Sequence, residues 1–115
     1  MDIRVGPDQV PCTLADLQRK VGPGWADLLK RLVTDLESLG WNGEVLQVKE
    51  KFGGLRFYIE PTSEDIHNCI SAARQESYTI CEECGAPGSL REDGWFKTLC
   101  DVHHVERQAC HAEKR

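Results

Sequence analysis

A chain of 115 residues, 40% hydrophobic and 29% charged, suits one small folded domain, because disordered segments carry too little buriable surface. A multidomain enzyme is excluded, no apolar run nears the ~20 residues of a membrane span, and no charged-then-apolar leader opens the chain, so the expectation is a cytoplasmic protein. The formal charge of -5 is uneven: residues 1–60 carry eight Lys/Arg against nine Asp/Glu, and residues 61–115 carry six against ten. Cations that displace counterions drive non-specific nucleic-acid binding, so an acidic chain works against it unless its basic residues cluster.

The opening, with Pro7 and Pro11, reads as a loose start. Thr13 followed by Asp16 is a capping-box pattern, and Leu14, Leu17 and Val21 form a helical stripe, which predicts a short first helix. Gly22, Pro23 and Gly24 break it. Trp25, Leu28, Leu29, Leu32, Val33, Leu36 and Leu39 then recur at helical spacing up to Gly40, predicting a long amphipathic helix whose polar face, Asp27, Lys30, Arg31, Asp35 and Glu37, is solvated.

From Glu44 to Glu60 the period changes to two, with Leu46 and Val48 on one strand and Leu55, Phe57 and Ile59 on the next. A β-hairpin follows. Taking Gly53-Gly54 as a two-residue turn sets Lys51 opposite Arg56, Lys49 opposite Tyr58 and Val48 opposite Ile59. Parity then puts Glu50 on the apolar face. Burying an unpaired charge costs several kcal/mol, so the expected solution is a bulge near the turn that rotates Glu50 outward; the alternative is a carboxylate at the rim of the core with a cationic partner. Pro61, Thr62 and Ser63 open a third helix with Ile66, Cys69, Ile70, Ala73 and Ser77 on one face. The predicted fold is α+β, with helices packed on a small antiparallel hairpin sheet. Residues 1–79 form this lobe, and residues 80–115 a second lobe packed against it as one compact unit.

Cys81, Cys84, Cys100 and His103 read C-x2-C-x15-C-x2-H. A C-x2-C turn lets two thiolates converge on one ion, and Gly85 supplies backbone freedom after the second ligand. Asp93-Gly94 marks a hairpin that returns the chain to the first pair, and Val102, Val105, Ala109 and Ala112 predict a helix with Cys100 and His103 at its first turn, where the positive helix end favours thiolate. Knuckle, hairpin and helix in this order resemble a treble-clef zinc finger. Four sulfur and nitrogen donors suit one structural Zn²⁺. His104 is the alternative fourth ligand. A disulfide framework or redox C-x2-C competes poorly, since Ala86-Pro87-Gly88 prevents the helix a redox motif needs. Cys12 and Cys69 read as apolar fillers, and Cys110 with His111 as a weak candidate for a second site.

Four protein donors close a zinc sphere, whereas catalytic zinc keeps a position for water, so the chain reads as non-catalytic. His111-Ala112-Glu113 matches part of a deaminase signature in the wrong order, and Trp95, Phe96 and Lys97 supply no histidine base for a treble-clef nuclease. Gly53-Gly54 is too short for a phosphate loop.

The run from Val48 through Lys51, Phe52, Gly53, Gly54, Leu55, Arg56 and Phe57 to Tyr58, followed by Cys81, Cys84, Gly85, Trp95, Thr98, Leu99, Cys100 and His103, resembles a group of short uncharacterised proteins from bacterial and phage genomes. The resemblance spans residues 41–104. It implies mobile-element or host-defence biology and assigns no functional residues. The leading expectation is a small zinc-stabilised module that binds another protein, as adaptor or inhibitor. The alternative is a nucleic-acid-binding protein using the hairpin face of Lys49, Lys51, Arg56 and Tyr58, which would join phosphate contacts to a stacking ring.

Overall fold

The computed structural model describes residues 2–113, with side chains through 109. Its opening is not loose. Ile3–Val5 (β1) and Val10–Cys12 (β2) pair antiparallel, and Glu44–Val45 (β3) adds to β1 in parallel, so Arg4 faces Glu44 and Val5 faces Val45. Strands of three residues, one of them holding Pro11, carry no legible alternation, and a parallel partner some forty residues away leaves no local signal.

Leu14–Gln18 (α1) begins at Thr13 with the expected box: Thr13 Oγ1 accepts from Asp16 N at 3.1 Å while Asp16 Oδ2 accepts from Thr13 N at 2.9 Å. A short 3₁₀ turn, Pro23–Trp25, leads into Ala26–Ser38 (α2), which buries Leu28, Leu29, Leu32, Val33 and Leu36. Leu39 belongs to the stripe by spacing but is 42% exposed, because the helix has ended at Ser38. The polar face is not wholly solvated: Arg31 pairs with Asp27 at 3.0 Å and with Glu76 on Glu64–Ser77 (α3).

Gln47–Lys51 (β4) and Gly54–Tyr58 (β5) form the expected hairpin in a shifted register. Lys51 faces Gly54, Lys49 faces Arg56, and Val48 faces Phe57. The turn is therefore Phe52-Gly53, both left-handed, with φ of 54° and 79°. That is the backbone twist a two-residue hairpin requires, at a site where asparagine is usual and a phenylalanine is strained. Strand parity breaks at Leu46, which is exposed, while Val45 and Val48, three residues apart, are both buried. No bulge turns Glu50 out. It stays on the apolar side opposite Leu55, where Oε2 accepts from Gly53 N at 2.8 Å and Oε1 lies 3.5 Å from Lys97 Nζ, so the rim carboxylate with a cationic partner is what forms.

One apolar core joins Trp25, the inner face of α2, Trp41, Val45, Val48, Leu55, Phe57, Ile66 and Ala73. The helix α3, capped by Ser63, runs back beside β5 and ends with Ser77 Oγ accepting from Leu55 N at 2.9 Å. The chain closes with the hairpin Ser89–Arg91 (β6) and Lys97–Leu99 (β7), followed by Asp101–Glu113 (α4). The molecule is a small α+β fold with four α-helices among the described residues, and no helix is long and apolar enough to cross a membrane.

Candidate metal centre

Cys81 and Cys84 stand on a tight turn in which Gly85 N donates to Cys81 O at 2.8 Å and Cys81 N donates to Ala86 O at 2.8 Å. Gly85, at φ 82°, reverses the chain after the second thiol. The β6–β7 hairpin, with Leu90 facing Thr98, returns Cys100 beside the turn. Cys100 precedes α4, its carbonyl accepts from His104 N at 2.9 Å, and His103 projects from the first helical turn.

The donor atoms of Cys81, Cys84, Cys100 and His103 all lie within 4.8 Å of one another. Cys84 Sγ is 3.8 Å from Cys100 Sγ, and His103 Nδ1 lies 3.6 Å from Cys81 Sγ and 3.2 Å from Cys100 Sγ. These four side chains could hold one metal ion. The sulfurs are too far apart for a disulfide, and Cys12, Cys69, Cys81, Cys84 and Cys100 are all free. The Cys100 thiol is pushed down to about 6, first by the His103 backbone N–H at the helix start and then by the His103 ring, so it is predominantly thiolate at neutral pH. The hydrogen bond to the Cys100 sulfur, helped by its charge and by Cys81, in turn raises the His103 imidazole. On the far side of that ring the Glu106 carboxylate stands 3.9 Å from Nε2.

His104 is not part of the cluster. Its Nε2 is 3.8 Å from Asp93 Oδ2, and its Nδ1 is buried without a hydrogen-bond partner. Val102 and Val105 have helical spacing but are exposed, and the contacts of α4 among the described residues are largely polar, from Asp101, Arg107 and Gln108. Cys12 and Cys69 are half-buried, with burial the first cause of their raised thiol pKa, as fits apolar fillers. The side chains of Cys110 and His111 lie outside the described residues.

The polar residue inside the knuckle went unread in the sequence. Glu82 is 3% exposed; it bonds Lys97 Nζ at 2.9 Å and Thr98 N at 3.1 Å, while its carbonyl accepts from Gly24 N at 2.8 Å. Burial lowers the Lys97 ammonium, but Glu82 and Glu50 together hold it above its ordinary value. Gly24 was legible only as a helix breaker. In the fold it is the seat of the knuckle, since a Cβ there would stand 1.9 Å from Cys81 O. Trp25 Nε1 donates to Ile80 O at 2.9 Å just beside it.

Lys49, Arg56 and Tyr58 do share one face of the hairpin with Lys51, as parity requires. Arg56 Nη2 reaches Lys51 O at 3.5 Å. Lys51 Nζ lies 5.5 Å from the Phe52 ring centroid, and Arg56 lines a groove between β5 and α3. A second group escaped the sequence reading: Phe52 (58% exposed), Trp95 (78%) and Phe96 gather where the two hairpin tips meet, with Phe52 and Phe96 edge to face at 6.1 Å. Thr98 Oγ1 donates to Gly53 O at 2.7 Å and ties the tips together; from α4, Arg107 donates to Trp95 O and Gln108 Nε2 to Asp93 Oδ2 at 3.2 Å. The only local hint was a phenylalanine beside Gly53, and nothing local pairs it with Phe96. No family model, curated protein or solved structure matches the chain.

Proposed function

We propose that the chain is a non-catalytic module, organised by one structural zinc ion in a treble-clef-like lobe, which binds another protein through the aromatic hairpin tips. The observation that carries the reading is the donor set. A zinc tetrahedron with Zn–S of about 2.3 Å and Zn–N of about 2.0–2.1 Å has S···S edges of about 3.8 Å and S···N edges of about 3.5 Å. The Cys84–Cys100 separation of 3.8 Å and the Cys81–His103 separation of 3.6 Å are close to those edges, Cys100–His103 at 3.2 Å is shorter, and all the donors lie within 4.8 Å of one another. Three thiolates and an imidazole fill all four positions, which favours a structural over a hydrolytic role. Zinc would supply cross-linking of the knuckle to the hairpin and helix, not chemistry.

Protein binding is supported by the exposed aromatic tip. Exposed Trp and Phe on a braced scaffold match the anchors that dominate protein interfaces. Phe52 also holds a left-handed conformation that costs roughly 1–2 kcal/mol for an ordinary side chain, a cost with no return inside the core. Nucleic-acid binding is the weaker reading because the chain is acidic apart from this one face. The resemblance to short bacterial and phage proteins adds mobile-element or host defence as the setting, in the cytoplasm.

Metal analysis of the purified protein tests the first half: one zinc per chain is expected, falling to none in a Cys81→Ser/Cys84→Ser variant. Capture of a partner that survives nuclease and is lost on Phe52→Asp/Trp95→Asp supports the second. Sub-micromolar binding of DNA or RNA at about 150 mM salt, abolished by replacing Lys49, Lys51 and Arg56, replaces it with the alternative.

A further inference from the structure

The strand β5 has one partner, β4, and its other edge faces α3. Antiparallel pairs alternate between hydrogen-bonded and free, and Leu55 N donates to Ser77 Oγ, so the main-chain groups of Leu55 and Phe57 point away from β4. Ser77 closes that edge at Leu55. Beyond it, strand and helix border a groove of about 500 Å³, within the usual size of a ligand cleft. Its walls are β5 and the following residues through Thr62 on one side, and His67, Ile70, Ser71 and Arg74, at helical spacing, on the other.

The charge in the groove is unlike the rest of this acidic chain. Arg4, Arg19, Arg31 and Arg91 each pair with a carboxylate, and Arg107 bonds main-chain carbonyls. Arg56 and Arg74 both line the groove and form no ion pair among the described residues; Arg56 Nη2 donates to Lys51 O at a long 3.5 Å, and its Nε is buried without a hydrogen-bond partner. His67 lies beside them, against a single carboxylate, Glu60. A guanidinium fork is shaped for a carboxylate, and an unpaired strand edge is shaped for another strand. Ile59, Pro61 and Ile70 add apolar wall, which a bare inorganic anion would not use.

We propose that this groove takes an extended, carboxylate-bearing segment of a partner protein, added as a third strand along the free edge of β5 with Arg56 and Arg74 receiving its acidic side chains. The proposal rests on the protein-binding reading and assigns it a contact separate from the aromatic tips. It is tested on the zinc-loaded full chain, labelled with ¹⁵N, by titrating the blocked peptide acetyl-VEVEV-amide and its counterpart acetyl-VKVKV-amide. The acidic peptide is expected to saturate, to slow exchange of the Phe57 amide at least about tenfold, to bind at least about tenfold more tightly than the lysine peptide, and to weaken about tenfold in Arg74→Gln. Equal binding of the two peptides, saturation with no protection of Phe57, or displacement of the peptide by millimolar inorganic phosphate would each overturn it. Partner capture that persists in Arg74→Gln but is lost in Phe52→Asp/Trp95→Asp would sink the groove and leave protein binding standing, whereas no capture by the unsubstituted chain would sink the broader reading.

Discussion

The hairpin β4–β5 sends Val48, Leu55 and Phe57 into the core against α2, while β6–β7 buries little beyond Thr98 and Leu99. The first is held by apolar area removed from water. The second is held by polar contacts, Glu82 to Lys97 and Thr98 and Arg91 to Leu99 O at 3.2 Å and to Asp101 at 2.8 Å, beside a Cys₃His cluster that could hold one metal ion. A short hairpin with one helix has too much surface for its volume to fold by burial alone, so what fixes it must be directional.

On the zinc reading proposed above, that contrast is broken most sharply by removing the metal. Zinc-finger peptides gain about 10–16 kcal/mol of apparent binding free energy on loading, and for them that is folding free energy. Chelation is therefore expected to collapse the amide spectrum of residues 80–109 while the α2 amides keep their dispersion; a spectrum unchanged by complete zinc loss would break the comparison. Truncating Leu32 to Ala acts on the other side and should cost about 2–5 kcal/mol in a denaturant melt, with one zinc per folded chain retained. A loss below about 0.5 kcal/mol would place that face outside the core.

Gly24→Ala is the intermediate case, because Gly24 belongs to the first region and touches the second. With Cys81 O 1.9 Å from the new Cβ, main chain must move, and overpacking of this kind costs about 1–3 kcal/mol. Unlike Leu32→Ala, it should also speed zinc transfer to a chromophoric chelator. The smallest expected effect has the opposite sign: Phe52→Asn, which suits the left-handed turn, should stabilise the fold by up to about 1 kcal/mol while weakening partner capture. Destabilisation by this substitution would show that the ring's contact with Phe96 outweighs its backbone strain.

The clustering of Cys81, Cys84, Cys100 and His103, the capping box at Thr13, the buried face of α2 and the small-residue face of α3 were all legible along the chain, because each depends on spacing within one element or on side chains with a shared chemistry. The hairpin was legible in place but not in register. Choosing Gly53-Gly54 over Phe52-Gly53 as the turn depends on whether the fold tolerates a strained aromatic, which no local preference favours. Tertiary structure alone decided the parallel pairing of β1 with β3, the seat of the knuckle on Gly24, the lock made by Glu82, the inward turn of Glu50 toward Lys97, and the convergence of Phe52 with Phe96 and Trp95. In each, the stabilising partner lies far along the chain, so the contact is set by how elements pack and leaves no period or spacing for a sequence to display.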